Sequence, residues 1–199
     1  FITWCWDQDI KVSHSVRTFS DIKRLCKDDL KEYTSYLSSR IIFKQNQFQE
    51  KFDYQIKKIE KIYSPKKFFK SKYQEQIIRY SKFNLTEFNL EPDLKESPGC
   101  IRDMHVVIWM LKVCFNHHNF DRTNIPIINA NDWKNIITDY NKIKVLRYFL
   151  NYEYGTNRIN FDYQISIARK LGHQNRKSLS SVELFLSLIH ISEPTRRRT

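Results

Sequence analysis

No glycine or proline occurs in the first 64 residues. These are the strongest local interrupters of regular structure, so the first third of the chain carries almost nothing that forbids a continuous helix. Its apolar residues agree. Ile22, Leu25, Leu30, Tyr33, Leu37, Ile41, Phe48, Phe52, Ile56, Ile59 and Tyr63 recur mostly three or four apart, with charged residues between them, which is the helical period. With Ser20 as N-cap, this predicts an amphipathic helix of about 40 residues, roughly 60 Å long at 1.5 Å per residue. Such a rod outruns a compact domain of this size. It therefore either folds back near Ser38 and Ser39 as a hairpin, or protrudes and lays the 22–63 stripe against a helical partner.

Ser64 followed by Pro65 ends that segment, because proline disfavours the α conformation of the residue before it. A second helix is expected over residues 66–83, with Phe68, Phe69, Tyr73, Ile77 and Tyr80 as its core-facing stripe. Residues 84–99 hold Pro92, Pro98 and Gly99 and read as a loop or linker. After it, Ile101 to Phe115 is apolar on most sides, as a buried helix must be. Pro126 marks another loop. Asn131 can cap a helix over 132–154, closed by Gly155, and a last helix is expected over 161–171, followed by Gly172. No strand pattern or internal repeat is present. The expected fold is all-α, a helical bundle with a long N-terminal helix or helical hairpin and no substantial sheet. Its parts are 1–83, a linker at 84–100, a compact helical region at 101–185, and a tail.

The tail, residues 186–199, reads LSLIHISEPTRRRT and resembles the translation of a transposon-end sequencing adapter. Non-native segments are set aside before fold reasoning. The absence of an initial Met then makes 1–185 read as an internal piece of a longer protein. Lys and Arg number 34 against 22 Asp and Glu, a net charge of +12; without the tail it is +10. A basic balance favours a polyanionic partner, DNA or RNA, through counterion release. Lys57, Lys58, Lys61, Lys66, Lys67, Lys70 and Lys72 are the candidate phosphate contacts. Lysine nevertheless outnumbers arginine, whereas bidentate phosphate recognition favours arginine. The wealth of Lys, Asn, Ile, Phe and Tyr also follows from an AT-rich genome. No apolar run reaches the ~20 residues a bilayer span needs, so no membrane association is expected. Cys5, Cys26, Cys100 and Cys114 are spaced without pattern, which suggests reduced thiols in the cytoplasm.

No catalytic constellation emerges. Cys100, His105, Cys114, His117 and His118 are zinc-ligand types. His105 and Cys114, nine residues apart on one helix, nonetheless fall on opposite faces, about 13 Å apart along the axis. No metal and no cofactor is assigned. Asp28, Asp29, Asp93, Asp103, Asp121, Asp132 and Asp139 show no pattern that specifies Mg²⁺ binding and read as solvated charges. Glycine-rich phosphate cradles and the common hydrolase motifs are absent.

Lys144-Val145-Leu146-Arg147-Tyr148-Phe149-Leu150-Asn151-Tyr152-Glu153, followed by Ser181-Val182-Glu183, resembles the run-up to the nuclease motif of GmrSD-like restriction endonucleases. In that family an R-Y-x-L-x-x-x-E helix precedes an S-[I/V]-E-H-I-x-P segment whose His belongs to an HNH-type nuclease site. Here Leu184 stands where the His would be. The resemblance implies a helical, nucleic-acid-acting region of a bacterial or phage restriction or defence protein, without its own catalytic site. The alternative expectation is a protein-interaction or scaffold module with no nucleic-acid role.

Overall fold

In the computed structural model the described residues are 1–42, 48–83, 90–115 and 128–172. They form eight helices: α1 (Ile2–Asp7), α2 (Phe19–Asp28), α3 (Leu30–Leu37), α4 (Phe48–Glu60), α5 (Pro65–Ser81), α6 (Ile101–Phe115), α7 (Ala130–Tyr154) and α8 (Phe161–Lys170). Among the described residues an isolated antiparallel bridge, Asp93 with Arg158, joins extended segments and no sheet forms. The fold is all-α. The helices divide into two compact units, Phe1–Tyr63 and a second from Ser64 onward.

In the first unit the expected 40-residue helix is cut twice. Thr18 and Asp21 form a capping box that starts α2. Asp29 then leaves the helical region (φ −129, ψ 119) and its carboxylate accepts a hydrogen bond from the Lys31 amide at 2.7 Å. One aspartate thereby ends α2 and caps α3, because its short side chain offers the backbone a partner that helix continuation would not. α3 stops at Leu37, with Ser38 as its C-cap, so the chain turns back where the two serines stand. The stripe predicted to face a partner is consumed internally. Ile22, Cys26, Tyr33, Leu37 and Ile59 are buried, the Tyr33 ring packs tilted against Tyr63 at 4.7 Å between centres, and its hydroxyl donates to the Glu60 carbonyl at 2.9 Å. Arg17 closes the unit through Glu32 and Tyr36.

The second unit begins where Ser64 caps α5, with Pro65 in the first turn. α7 starts two residues earlier than its sequence suggests, because Asn129 rather than Asn131 is the cap and accepts the Asp132 amide at 2.8 Å. It ends at Gly155 in the left-handed conformation, φ +65. Leu94, Cys100 and Ile101 pack with Ile143, Leu146 and Leu150 of α7 and with Ile159, Ile167 and Ala168 near α8. Met104, Leu111 and Trp133 form a second cluster. No described helix is long and apolar enough to cross a membrane.

Candidate functional site

α5 turns only part of its expected stripe inward, Phe68 and Tyr80, and buries two cations beside them. Phe69, Tyr73 and Ile77 of the predicted core stripe are exposed, whereas Lys72 and Arg79 are buried with Phe68. Burial of a charge is costly unless it is paired and hydrogen-bonded. Both cations are. Lys72, whose side chain is 2% exposed, places Nζ 2.8 Å from Glu75 and 4.8 Å from the centre of the Trp109 ring. Arg79 donates from Nη1 to the Glu96 carbonyl at 2.6 Å and from Nη2 to the Asp103 carboxylate.

Asp103, in the first turn of α6, is the hub. Besides Arg79 it accepts from the Tyr80 hydroxyl and from the Gly99 amide at 2.7 Å. Gly99 reaches this position with φ +76, a conformation a Cβ would strain. Burial pushes the Tyr80 phenol up to about 12, assisted by its hydrogen bond to the Asp103 carboxylate.

Residues 90–100 are irregular in structure but held at many points. Asp93 accepts the amides of Lys95 and Glu96 at 2.8 and 2.9 Å, and its own amide donates to Ser97 Oγ at 2.9 Å. Leu94 N–H donates to the Asn157 carbonyl at 2.9 Å, Ile159 N–H to the Pro92 carbonyl at 3.0 Å, and Gln164 Nε2 to the Leu90 carbonyl at 2.6 Å. Backbone polar groups buried without a helix need such partners. This strap fixes Lys95 and Glu96 beside the start of α6.

A row of basic groups follows. Glu96 accepts Arg102 at 2.9 Å and lies 3.8 Å from Lys95; burial opposes its ionisation, but the Arg102 hydrogen bond and the charges of Arg102, Lys95 and Arg79 hold its carboxyl below the usual range. His105, one turn further along α6, sits between Trp109 and Tyr140 at 5.7 and 6.2 Å between ring centres. Burial lowers its pKa, and Arg102, Arg147, Lys144 and Lys95 lower it further. Lys144 Nζ stands 4.7 Å over the Tyr140 ring, and Arg147 Nε donates to Asn157 at 2.7 Å.

The seven lysines proposed from sequence are divided between the two units. Lys57 and Lys58 lie in the last turn of α4, Lys58 over the Tyr54 ring at 4.2 Å. Lys61 is in the same unit, and Lys66, Lys67 and Lys70 are exposed on α5. Lys72 is committed to the interior. Of the zinc-type residues, Cys100 is buried and Cys114 half-buried, while His117 and His118 lie outside the described residues. Among the described residues no three His, Cys, Asp or Glu side chains gather to hold a metal. The sequence reading missed Arg79, Glu96 and Arg102 and took Asp103 for a solvated charge. The available signal was the pairing of a strongly basic α5 with an acid at the start of the apolar α6.

The family described as GlnD PII-uridylyltransferase matches residues 67–191, and the chain belongs to it. The matched interval contains the whole strap and basic row, and runs six residues into the tail, which lies outside the described residues. The bifunctional uridylyltransferase/uridylyl-removing enzyme of Nitrosococcus oceani is 33% identical over 186 residues, 92% of this chain and 21% of that protein. Those of Ectopseudomonas mendocina (29% over 189 residues, 94% of this chain and 21% of that protein) and Photobacterium profundum (28% over 176 residues, 87% and 20%) are similar in the same way. The chain thus spans about a fifth of the length of these relatives. No solved structure matches it.

These findings overturn the restriction-endonuclease resemblance and, with it, the DNA- or RNA-acting defence protein. The resembling residues have local explanations: Arg147 holds Asn157, Glu153 pairs with Lys170 at 3.1 Å, and residues 181–183 lie outside those described. The scaffold alternative, with a helical partner on the 22–63 stripe, falls as well, since that stripe is packed within its own unit.

Proposed function

We propose that this chain is a helical region of a bacterial bifunctional uridylyltransferase/uridylyl-removing enzyme that works in the cytoplasm on a PII protein. A uridylyl group is a uridine monophosphate unit, so transfer from UTP breaks the phosphoanhydride between its α- and β-phosphates, forms a new bond from the α-phosphorus to the acceptor and releases pyrophosphate; removal hydrolyses the new bond and releases UMP. The observation that carries this reading is the family match, continuous from α5 to beyond α8, joined to similarity with about a fifth of each relative over nearly all of this chain. The region's contribution is to hold a rigid basic face: the Arg79–Asp103 hub and the 90–100 strap fix it from behind, and nothing in it requires a nucleophile of its own.

A chimera tests this. The corresponding fifth of the Nitrosococcus oceani enzyme is replaced by residues 1–185, and uridylylation of a PII protein is followed with labelled UTP. Retained transfer is the expected result. A soluble, folded chimera devoid of both transfer and removal would contradict the reading.

A further inference from the structure

We propose that Lys95, Arg102, His105, Lys144 and Arg147 form an anion site that takes the polyphosphate of a nucleoside triphosphate. These groups come from three elements, the strap, α6 and α7, within the second unit. Arg102 and His105 are three apart on α6, and Lys144 and Arg147 three apart on α7, spacings that put each pair on one helix face. Tyr140 ties the two helices together, with His105 on its edge at 6.2 Å and the Lys144 ammonium 4.7 Å from its centre.

Among the described residues Glu96 alone supplies a carboxylate in salt-bridge contact with this row, and it meets two of the cations, Lys95 and Arg102. Glu91 and Asp93 of the strap accept backbone amides, of Phe161 and of Lys95 and Glu96, and four further acids face other groups. Asp103 faces Arg79 and Tyr80, Glu75 faces Lys72, Asp139 faces Lys142 at 2.9 Å, and Glu153 faces Lys170. The row is nonetheless reachable: the Lys95 side chain is 41% exposed and that of Arg102 28%. It is also preformed, because Arg102 is held by Glu96, Arg147 by Asn157 and His105 between two aromatic rings. Fixed donors of this kind bind phosphate oxygens with little ordering cost. Burial depresses the His105 pKa, and the neighbouring charges of Arg102, Arg147, Lys144 and Lys95 depress it further.

The inference rests on the uridylyl-transfer reading only for the identity of the nucleotide. Calorimetric titration of the full 199-residue chain at low ionic strength, with inorganic pyrophosphate and separately with UTP, tests both parts. Lys144→Met and Arg147→Met should each weaken binding roughly tenfold, the scale of one charge-assisted hydrogen bond. Lys142→Met, on the same helix but paired with Asp139, should leave binding unchanged. Lys144 is exposed and makes no hydrogen bond to the core, so its variant remains informative if Arg147→Met unfolds. Pyrophosphate binding with these losses but no UTP binding would support the anion site and count against a uridine nucleotide as its ligand. Failure of pyrophosphate to bind, or binding that Lys144→Met leaves untouched, would overturn the site without bearing on uridylyl transfer, which the chimera measures independently.

Discussion

Replacing Asp103 with alanine should strongly destabilise the second unit. The Arg79 and Asp103 side chains are 10% and 17% exposed, so the variant leaves a guanidinium inside without its counter-charge, and also strands the Tyr80 hydroxyl and the Gly99 amide. Removing one partner of a buried ion pair typically costs about 3–5 kcal/mol. An exposed pair costs roughly 0–1 kcal/mol. Because whole domains are stable by only about 5–15 kcal/mol, the loss should be plain in urea unfolding followed by far-ultraviolet circular dichroism, as a lower midpoint at unchanged slope. Arg79→Met should cost a similar amount, since it leaves the Asp103 carboxylate buried. The double variant should be less destabilised than the sum, as partners in one network are not additive. A cost below about 1 kcal/mol for Asp103→Ala, the surface value, would refute the claim that this hub is an interior interaction.

Asp29→Ala removes the cap shared by two helices and should destabilise the first unit by about 1 kcal/mol, read by thermal melting, with Asp29→Asn largely restoring it. Leu94→Ala empties a fully buried position on the strap and should cost about 2–5 kcal/mol; a cost near that of a surface change would mean the strap is not part of the core. His105 has a depressed folded pKa, so its contribution is present above its unfolded value of about 6.5 and is lost as pH falls through the folded value. Glu96 acts in the same direction but lower, below the ordinary carboxylate range of about 4.3. Stability measured from pH 8 to 5 should therefore decline in the wild-type chain, and His105→Gln should flatten that decline.

Local signals were legible where one residue decides the outcome. Ser64 with Pro65, the serines at 38 and 39, and Gly155 each stand where the chain stops or turns. The division at Asp29 was not legible, since an aspartate inside a periodic segment looks like any solvated charge until its carboxylate is seen to cap α3. The face of α5 was misread for a related reason. Periodicity assigns the whole aromatic side inward; Phe68 and Tyr80 do face in, but Lys72 and Arg79 displace Phe69, Tyr73 and Ile77 because Glu75, Trp109, Asp103 and the Glu96 carbonyl are there to receive them. Arg79 and Asp103 are 24 residues apart in sequence, and no spacing rule reaches that far. The same holds for Leu94, whose Pro- and Gly-rich surroundings read as an exposed loop, whereas its burial is set by α7 and α8. The nuclease resemblance failed because a short Arg-Tyr and Glu pattern on a helix is satisfied by ordinary intramolecular pairs.

Uridylyl transfer itself tests the account most directly. The complete reading frame that contains these residues, incubated with labelled UTP and a PII protein from the same source, should deposit label on PII and release it again under removal conditions. An active preparation that labels no PII protein, or that cleaves DNA instead, would contradict the account.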